Sequence, residues 1–148
     1  MKADSPFPQL TDPLENRLGY QLRRASAVMM ADLGQSLAPL DLKPAEATIL
    51  IVVGANPGCT QSDVGRSLGI NRANMVPLIA ALLKQGMVEK APVDGRSQAL
   101  TLTSAGQAKV DAAEKIIDKH EARFQALLNM SDHDALIAAL HAIRSIRR

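Results

Sequence analysis

The stretch from Thr60 to Gly86 constrains the fold more than any other part of this chain, because it predicts two short helices that meet at a glycine. Thr60 followed three residues later by Asp63 is the pattern of a capped helix start, and Gly69 supplies a left-handed residue that ends such a helix. Asn71 is a second cap, and Gly86 ends the helix that follows it. Two helices joined by so short a turn are typical of a helix-turn-helix.

The helix after Asn71 is predicted to have one apolar face and a polar first turn. The apolar residues that should face the core are Met75, Leu78, Ile79, Leu82 and Leu83. With those residues inside, Asn71, Arg72 and Asn74 point outward beside the free N–H groups of the helix start, where they can contact base edges and phosphates. Pro77 lies within this helix and clashes with the carbonyl four residues earlier, so we expect a bend near Ala73.

A change of hydrophobic period after Gly86 predicts a β-hairpin. The first strand is expected between Met87 and Val93, and the second covers Ala99–Leu102. Between them lie Asp94-Gly95, a strong turn signal, and Arg96 at the exposed tip. A hairpin that directly follows a helix-turn-helix predicts a winged helix-turn-helix.

Two further helices are predicted before Thr60. The first is expected from Leu14 to near Pro39, because its apolar residues recur mostly every fourth position. Those residues are Leu14, Leu18, Leu22, Met29, Leu33 and Leu37. Pro44 opens a second helix, which Asn56-Pro57-Gly58 ends.

Amphipathic helices also follow the lobe. Thr103 or Ser104 is expected to cap a long helix that reaches about Asn129, and Ser131 with Asp134 to cap the last one. The apolar faces of the first and last helices exceed what a small lobe can cover. They therefore predict pairing with a second copy of the chain.

These elements define a mainly α (α+β) fold with three parts. Residues 1–13 are expected to form a flexible arm, residues 41–103 a winged helix-turn-helix lobe, and residues 14–40 together with 104–148 a helical dimerisation region. A homodimer on a two-fold axis would bind two half-sites of a pseudo-palindromic operator in double-stranded DNA.

Composition excludes several alternatives among the 148 residues. The chain has no Trp, one Tyr and two Phe, which argues against aromatic stacking platforms for single-stranded nucleic acid. A net charge of +2 is too small to identify a nucleic-acid partner by itself. No segment is apolar enough to predict a membrane span, and the single cysteine fits a reducing compartment, so we expect a cytoplasmic protein.

Cys59 has two interpretations. It precedes a predicted helix start that would lower the pKa of its thiol, which would suit a redox switch. The alternative, which we favour, is a small structural residue.

The chain resembles the MarR family of bacterial regulators from about Leu14 to Arg148. The motifs that carry the resemblance are Thr60–Ile70, the helix Asn71–Gln85, Asp94-Gly95-Arg96, and Leu100–Thr103 followed by Gly106. The resemblance implies that Arg96 reaches the minor groove and that Asp94 orients it. Gln61 and Ser62, at a helix start, are expected to contact phosphates.

The resemblance also implies a pocket for a small-molecule effector, such as an aromatic or phenolic carboxylate. The residues expected to contact it are Arg17, Tyr20, Arg23, Arg24 and Met29. The alternative, equally supported by the sequence, is that these arginines are surface charges whose aliphatic stems cover the dimer seam.

Three functions follow in order of support. The first is a ligand-responsive transcription regulator, usually a repressor in this family, and the second is a winged helix that binds a protein partner instead of DNA. An enzyme ranks last, because no nucleophile and base stand at motif spacing and no glycine-rich phosphate loop is present. The histidines His120, His133 and His141 lack metal-ligand spacing, and neither a metal nor a cofactor is expected.

Overall fold

The computed structural model describes residues 10–93 and 97–146. The helices are α1 (Leu18–Leu37), α2 (Pro44–Ala55), α3 (Gln61–Leu68), α4 (Arg72–Lys84), α5 (Ser104–Gln125) and α6 (Met130–Arg144), and a 3₁₀ turn (Ala38–Leu40) follows α1. The strands are β1 (Cys59–Thr60), β2 (Val88–Pro92) and β3 (Gln98–Leu102). The predicted fold class, mainly helical with a winged helix-turn-helix lobe, is confirmed.

The small sheet contains a strand that the sequence did not predict. Its order is β1-β3-β2, with both pairings antiparallel. Cys59 pairs with Leu100 and Thr60 with Ala99, and the backbone N–H of Gly58 donates to the carbonyl of Leu100 at 2.9 Å. Because α3 begins directly after β1, its amino terminus is attached to the same sheet as the hairpin.

The core lies where α1, α2, α3, α4, β3 and α5 meet. The largest fully buried side chains are Leu37, Ile49, Leu50, Val53, Val64, Met75, Ile79, Leu82 and Leu100. Burial of each such side chain contributes about 1.5–3 kcal/mol to folding. The predicted inner face of α4 is confirmed, with Leu78 and Leu83 half-buried beside the three fully buried members.

The start of α5 is packed tightly against the turn between α4 and β2. Thr103 caps α5 by accepting from the N–H of Gly106 at 3.0 Å, and its hydroxyl donates to the carbonyl of Gly86 at 2.5 Å. The N–H of Thr103 donates to the carbonyl of Met87 at 3.1 Å. A Cβ atom on Gly106 would lie 2.0 Å from that same carbonyl oxygen, so only glycine fits there.

The predicted start of the first helix at Leu14 is wrong, since α1 begins at Leu18. The carboxylate of Asp12 accepts from the N–H of Leu14 at 2.9 Å, and the N–H of Arg17 donates to the carbonyl of Leu14 at 2.8 Å. A side-chain acceptor and a local turn therefore take the backbone groups that a longer helix would need.

The end of α5 and the cap of the last helix also differ from the prediction. Helix α5 ends at Gln125 rather than near Asn129. Asn129, not Ser131, caps α6, because its side-chain oxygen accepts from the N–H of Asp132 at 2.8 Å while its amide donates to the Asp132 carboxylate at 2.8 Å. Asn is as good a cap as Ser, and its reciprocal bond with Asp132 stabilises this earlier start.

Pro77 does not interrupt α4, which is helical from Arg72 to Lys84. The backbone bond that Pro77 cannot make would have gone to the carbonyl of Ala73. Ala73 lies in the exposed first turn, where a water molecule can donate to its carbonyl instead.

The amino-terminal half of α1 and the whole of α6 carry apolar side chains that stay exposed in the single chain. Leu18 is 67% exposed, Val28 60% and Met130 79%, and α6 has no buried residue among those described. The carboxyl half of α1, in contrast, places Leu33 and Leu37 in the core. No helix of the described part of the chain is long and apolar enough to span a membrane.

Candidate nucleic-acid interface and effector region

The first turn of α3 is fixed by the predicted cap. The hydroxyl of Thr60 accepts from the N–H of Asp63 at 3.2 Å, and the Asp63 carboxylate accepts from the backbone N–H and the hydroxyl of Thr60 at 3.0 and 2.7 Å. The guanidinium of Arg66 also donates to Asp63, at 2.6 Å. This turn presents Gln61, which is half-buried, and Ser62, which is exposed.

The cap makes a pH-dependent contribution to stability. Hydrogen bonds from Thr60, and then from Arg66, lower the pKa of the Asp63 carboxyl. A carboxyl whose folded pKa lies below its unfolded pKa contributes stability that is present above the unfolded pKa and is lost as pH falls through the folded pKa. We therefore expect the melting temperature of an Asp63→Asn variant to fall less than that of the native chain between about pH 5 and pH 3. If the melting temperatures of the native chain and the variant fall equally over this pH range, Asp63 does not have this role.

The first turn of α4 presents the predicted base-contacting residues. The side-chain oxygen of Asn71 accepts from the N–H of Asn74 at 2.9 Å, which confirms Asn71 as the cap. That bond uses the carbonyl oxygen of the Asn71 side chain and leaves its amide N–H₂ to donate. Arg72 and Asn74 are exposed on the same turn, so their side chains are accessible to a partner.

Two adjoining concavities bring the starts of α3 and α4 together with the hairpin. One, of about 440 Å³, lies between the two helix starts, and the other, of about 750 Å³, lies between α3 and the hairpin. Gln61, Ser62, Arg66 and Arg72 line both, and Lys90 of β2 lines the second. Arg72 and Lys90 at the second, more polar concavity, with Arg66 paired to Asp63 beside them, form together with the helix N-termini an anion-binding arrangement suited to phosphates.

Arg66 and Lys90 were not among the predicted contacts. A signal for Arg66 was present, because it stands four residues after Ser62 and so shares its helix face. No pattern in the sequence indicated Lys90, since its place beside α3 depends on the unpredicted pairing of β1 with β3. Asp94 and Arg96, predicted to act at the wing tip, lie outside the described residues.

Cys59 is half-buried in β1. Burial raises the pKa of its thiol, and the negative charge of Asp63 raises it further. We expect Cys59 in the folded chain to react with iodoacetamide at neutral pH more slowly than in the denatured chain, because less of it is thiolate. A faster reaction in the folded chain, measured by mass spectrometry over time, would support the redox-switch interpretation instead.

The structure brings together three of the five predicted effector contacts. The hydroxyl of Tyr20 donates to the carboxylate of Asp12 at 3.1 Å and accepts from Arg24 at 3.0 Å, and the guanidinium groups of Arg23 and Arg24 lie 5.6 and 5.7 Å from the Tyr20 ring centre. A shallow cavity of about 330 Å³ adjoins this cluster.

The other two predicted effector contacts stand apart from that cluster. Arg17 is exposed just before α1, and Met29 is half-buried further along the helix. Within the described ranges, no group of His, Cys, Asp and Glu side chains is arranged to hold a metal ion.

Comparisons with known proteins identify the family. The model of the MarR family matches residues 40–97. The transcriptional repressor Rv2887 of Mycobacterium tuberculosis is 30% identical over 113 residues, which cover 75% of this chain and 81% of the relative. A structure of Rv2887 in complex with salicylic acid has a TM-score of 0.68 at 27% identity and covers 87% of this chain and 97% of that one.

The transcriptional repressor CouR is similar over nearly the whole chain. Its structure bound to a 23-mer DNA duplex is 35% identical with a TM-score of 0.85, and covers 93% of this chain and 99% of that one. Its structure bound to p-coumaroyl-CoA is 33% identical with a TM-score of 0.86, and covers 94% of this chain and 100% of that one.

Fold and site together define a winged-helix regulator of transcription. The chain belongs to the MarR family, as the resemblance of its helix-turn-helix and wing motifs implied. It is accordingly a DNA-binding regulator that functions as a homodimer. Proteins of this family are generally not enzymes.

Proposed function

We propose that this chain is a repressor that binds a pseudo-palindromic DNA operator and leaves it when an aromatic acid, free or as a coenzyme A thioester, binds. The observation that carries the proposal is the surface shared by the starts of α3 and α4. There, Gln61, Ser62, Arg66 and Arg72 line adjoining concavities beside two helix N-termini.

Each part of that surface has a separate role in the proposal. The first turn of α4 enters the major groove, where Arg72 and Asn74, with the amide of Asn71, contact base edges and phosphates. Gln61 and Ser62 contact the phosphate backbone and so set the register of the lobe on the duplex. Arg66 and Lys90 add positive charge along the same backbone.

The wing tip completes the proposed DNA contact. Arg96 inserts into the minor groove next to the major groove that α4 occupies, and Asp94 holds it in position. Narrow minor grooves concentrate negative potential, which a guanidinium on an extended tip can reach.

The division of the chain follows from the same reasoning. Residues 41–103 form the DNA-binding lobe, and residues 14–40 with 104–148 form the dimerisation region. Exposed apolar residues on α1 and α6, such as Leu18 and Met130, support this division, because contact with a second copy would bury them. Residues 1–13, of which the structure describes only 10–13, are assigned to neither part.

The effector class rests on what the relatives bind. Salicylic acid in the Rv2887 complex and p-coumaroyl-CoA in the CouR complex both contain a hydroxyaryl group. An effector releases the operator only if it binds more tightly to a dimer whose lobes have a different spacing from the DNA-bound one. We propose that this chain acts in the cytoplasm, where its DNA lies, and that it catalyses no reaction.

The test is the anisotropy of labelled duplexes from the region upstream of the chain's own gene, at two salt concentrations, with an unrelated duplex as control. We expect tight binding that weakens steeply with salt and prefers the upstream duplex. Added salicylate or p-coumaroyl-CoA is expected to release it. Weak binding without preference for either duplex would favour the alternative, a winged helix that binds a protein partner.

A further inference from the structure

A cavity between α1 and α5 lies outside the cluster around Tyr20. Its volume is about 690 Å³, which is in the range of small-molecule pockets. Most of the surface that lines it is apolar, with Ile116 contributing to the wall. The polar residues at the cavity are Asp32, Ser36, Lys119, His120 and Arg123.

One oxygen of Asp32 lacks a hydrogen-bond donor. The Oδ1 atom pairs with the guanidinium of Arg123 across the two helices. The Oδ2 atom is buried, and among the described residues it has no hydrogen-bond partner, since Nε2 of His120 stands 3.5 Å away and is engaged elsewhere. A buried carboxylate oxygen that lacks a hydrogen-bond donor destabilises the folded chain, so a ligand that donates a hydrogen bond to it would relieve that cost.

His120 has a buried ring nitrogen without a hydrogen-bond partner among the described residues. Its side chain is 1% exposed, and Nε2 lies 3.0 Å from the carbonyl oxygen of Met29. A carbonyl only accepts, so Nε2 carries the hydrogen, and in the neutral ring Nδ1 is an acceptor. Among the described residues Nδ1 has no hydrogen-bond partner, and its nearest charged neighbour is the Glu121 carboxylate at 3.6 Å, which cannot donate.

We propose that Asp32 and His120 form the end of the effector cavity that recognises a hydroxyl group. This inference rests on the proposed function and names the residues that select its effector. A phenolic hydroxyl donates to Oδ2 of Asp32, whose carboxylate is held in place by the pairing of its Oδ1 with Arg123. His120, held by Met29, forms the neighbouring wall of the cavity. Ile116 contacts the ring, and Lys119 and Arg123 balance the negative charge of a carboxylate.

The cavity lies where a bound ligand can change the position of the DNA-binding lobe relative to the dimerisation region. Its α1 residues Asp32 and Ser36 share the turns of Leu33 and Leu37, which are buried in the core of the lobe. Nearer the amino terminus of α1, Leu18 and Val28 are exposed on the part assigned to the dimer. A ligand held between α1 and α5 at this level therefore acts at the junction of the two parts.

The experiment compares ligands that differ by one hydroxyl group. Salicylate, 4-hydroxybenzoate and benzoate are titrated by calorimetry into the native dimer and into Asp32→Ala. Asp118→Ala, a matched change at an exposed position of α5, is the control, and Arg24→Ala tests the Tyr20 cluster as a competing site. DNA affinity without ligand checks that each variant is folded.

We expect the native chain to bind at least one hydroxybenzoate about 10- to 100-fold more tightly than benzoate, the range for a hydrogen bond to a charged group. Asp32→Ala should lose this preference, and both Asp118→Ala and Arg24→Ala should keep it. No preference in the native chain, or an undiminished preference in Asp32→Ala, overturns the inference.

DNA release in the same samples separates this inference from the proposed function. If hydroxybenzoates release DNA from the native chain and from Asp32→Ala at equal concentrations, the repressor function stands and the hydroxyl site is wrong. If they bind with an Asp32-dependent preference and leave DNA bound, the site stands and the proposed release is wrong.

Discussion

The Gly106→Ala variant is expected to unfold at a markedly lower temperature than the native chain. The added Cβ would stand 2.0 Å from the carbonyl oxygen of Met87, well inside contact distance. That carbonyl accepts from the N–H of Thr103, which also caps α5, so neither side can shift without loss of a hydrogen bond. Overpacking of this kind costs about 1–3 kcal/mol and at times more, and we expect the upper end.

Denaturant unfolding followed by circular dichroism measures this loss, with Gly34→Ala as the matched control. A Cβ on Gly34 would meet only Pro44, at 3.9 Å, which is an ordinary contact. Within a helix the same substitution should stabilise by about 0.5–1 kcal/mol. If the two variants have the same free energy of unfolding, the close packing of α5 on the α4–β2 turn is not rigid.

The Arg72→Ala variant is expected to bind the operator about 10- to 100-fold more weakly than the native chain, because a good base or phosphate contact by arginine contributes about 1–3 kcal/mol. Arg72 is exposed in the first turn of α4 and lines both concavities. Its side chain is therefore available to DNA without any rearrangement of the core.

Lys84→Ala is the control, since it removes the same charge from the exposed last turn of α4. Anisotropy titrations over a range of salt concentrations separate two kinds of contact. Loss of a phosphate contact lowers the salt slope by about 1 and weakens all duplexes alike, whereas loss of a base contact reduces the preference for the operator. If the Arg72→Ala and Lys84→Ala variants bind the operator with equal affinity, Arg72 does not contact DNA.

Local side-chain chemistry made the helix-turn-helix predictable. Thr60 with Asp63, and Asn71 with the N–H of Asn74, satisfy backbone donors within three residues, so the pattern can be seen in the sequence itself. Where two such patterns overlap, the sequence does not decide between them. Both Asn129 with Asp132 and Ser131 with Asp134 fit a cap, and only the first of these forms.

Contacts between distant residues were not predictable in this way. Strand β1 has two residues and hence no hydrophobic period, and its existence depends on Leu100 and Ala99, about forty positions later. The approach of His120 to Asp32 and Met29 depends on how α5 crosses α1. From the sequence, His120 could be placed on an apolar stripe, but its partners could not be named.

The pairing of β1 with β3 limits how an effector can act. Because the start of α3 and the two strands of the hairpin share one small sheet, we expect them to move together, and Met75 and Ile79 anchor α4 in the core beside them. A ligand cannot then easily disable one contact while it leaves the others in place. In the proposed mechanism, what remains adjustable is the distance between the two lobes of a dimer, and the operator fits only one such distance.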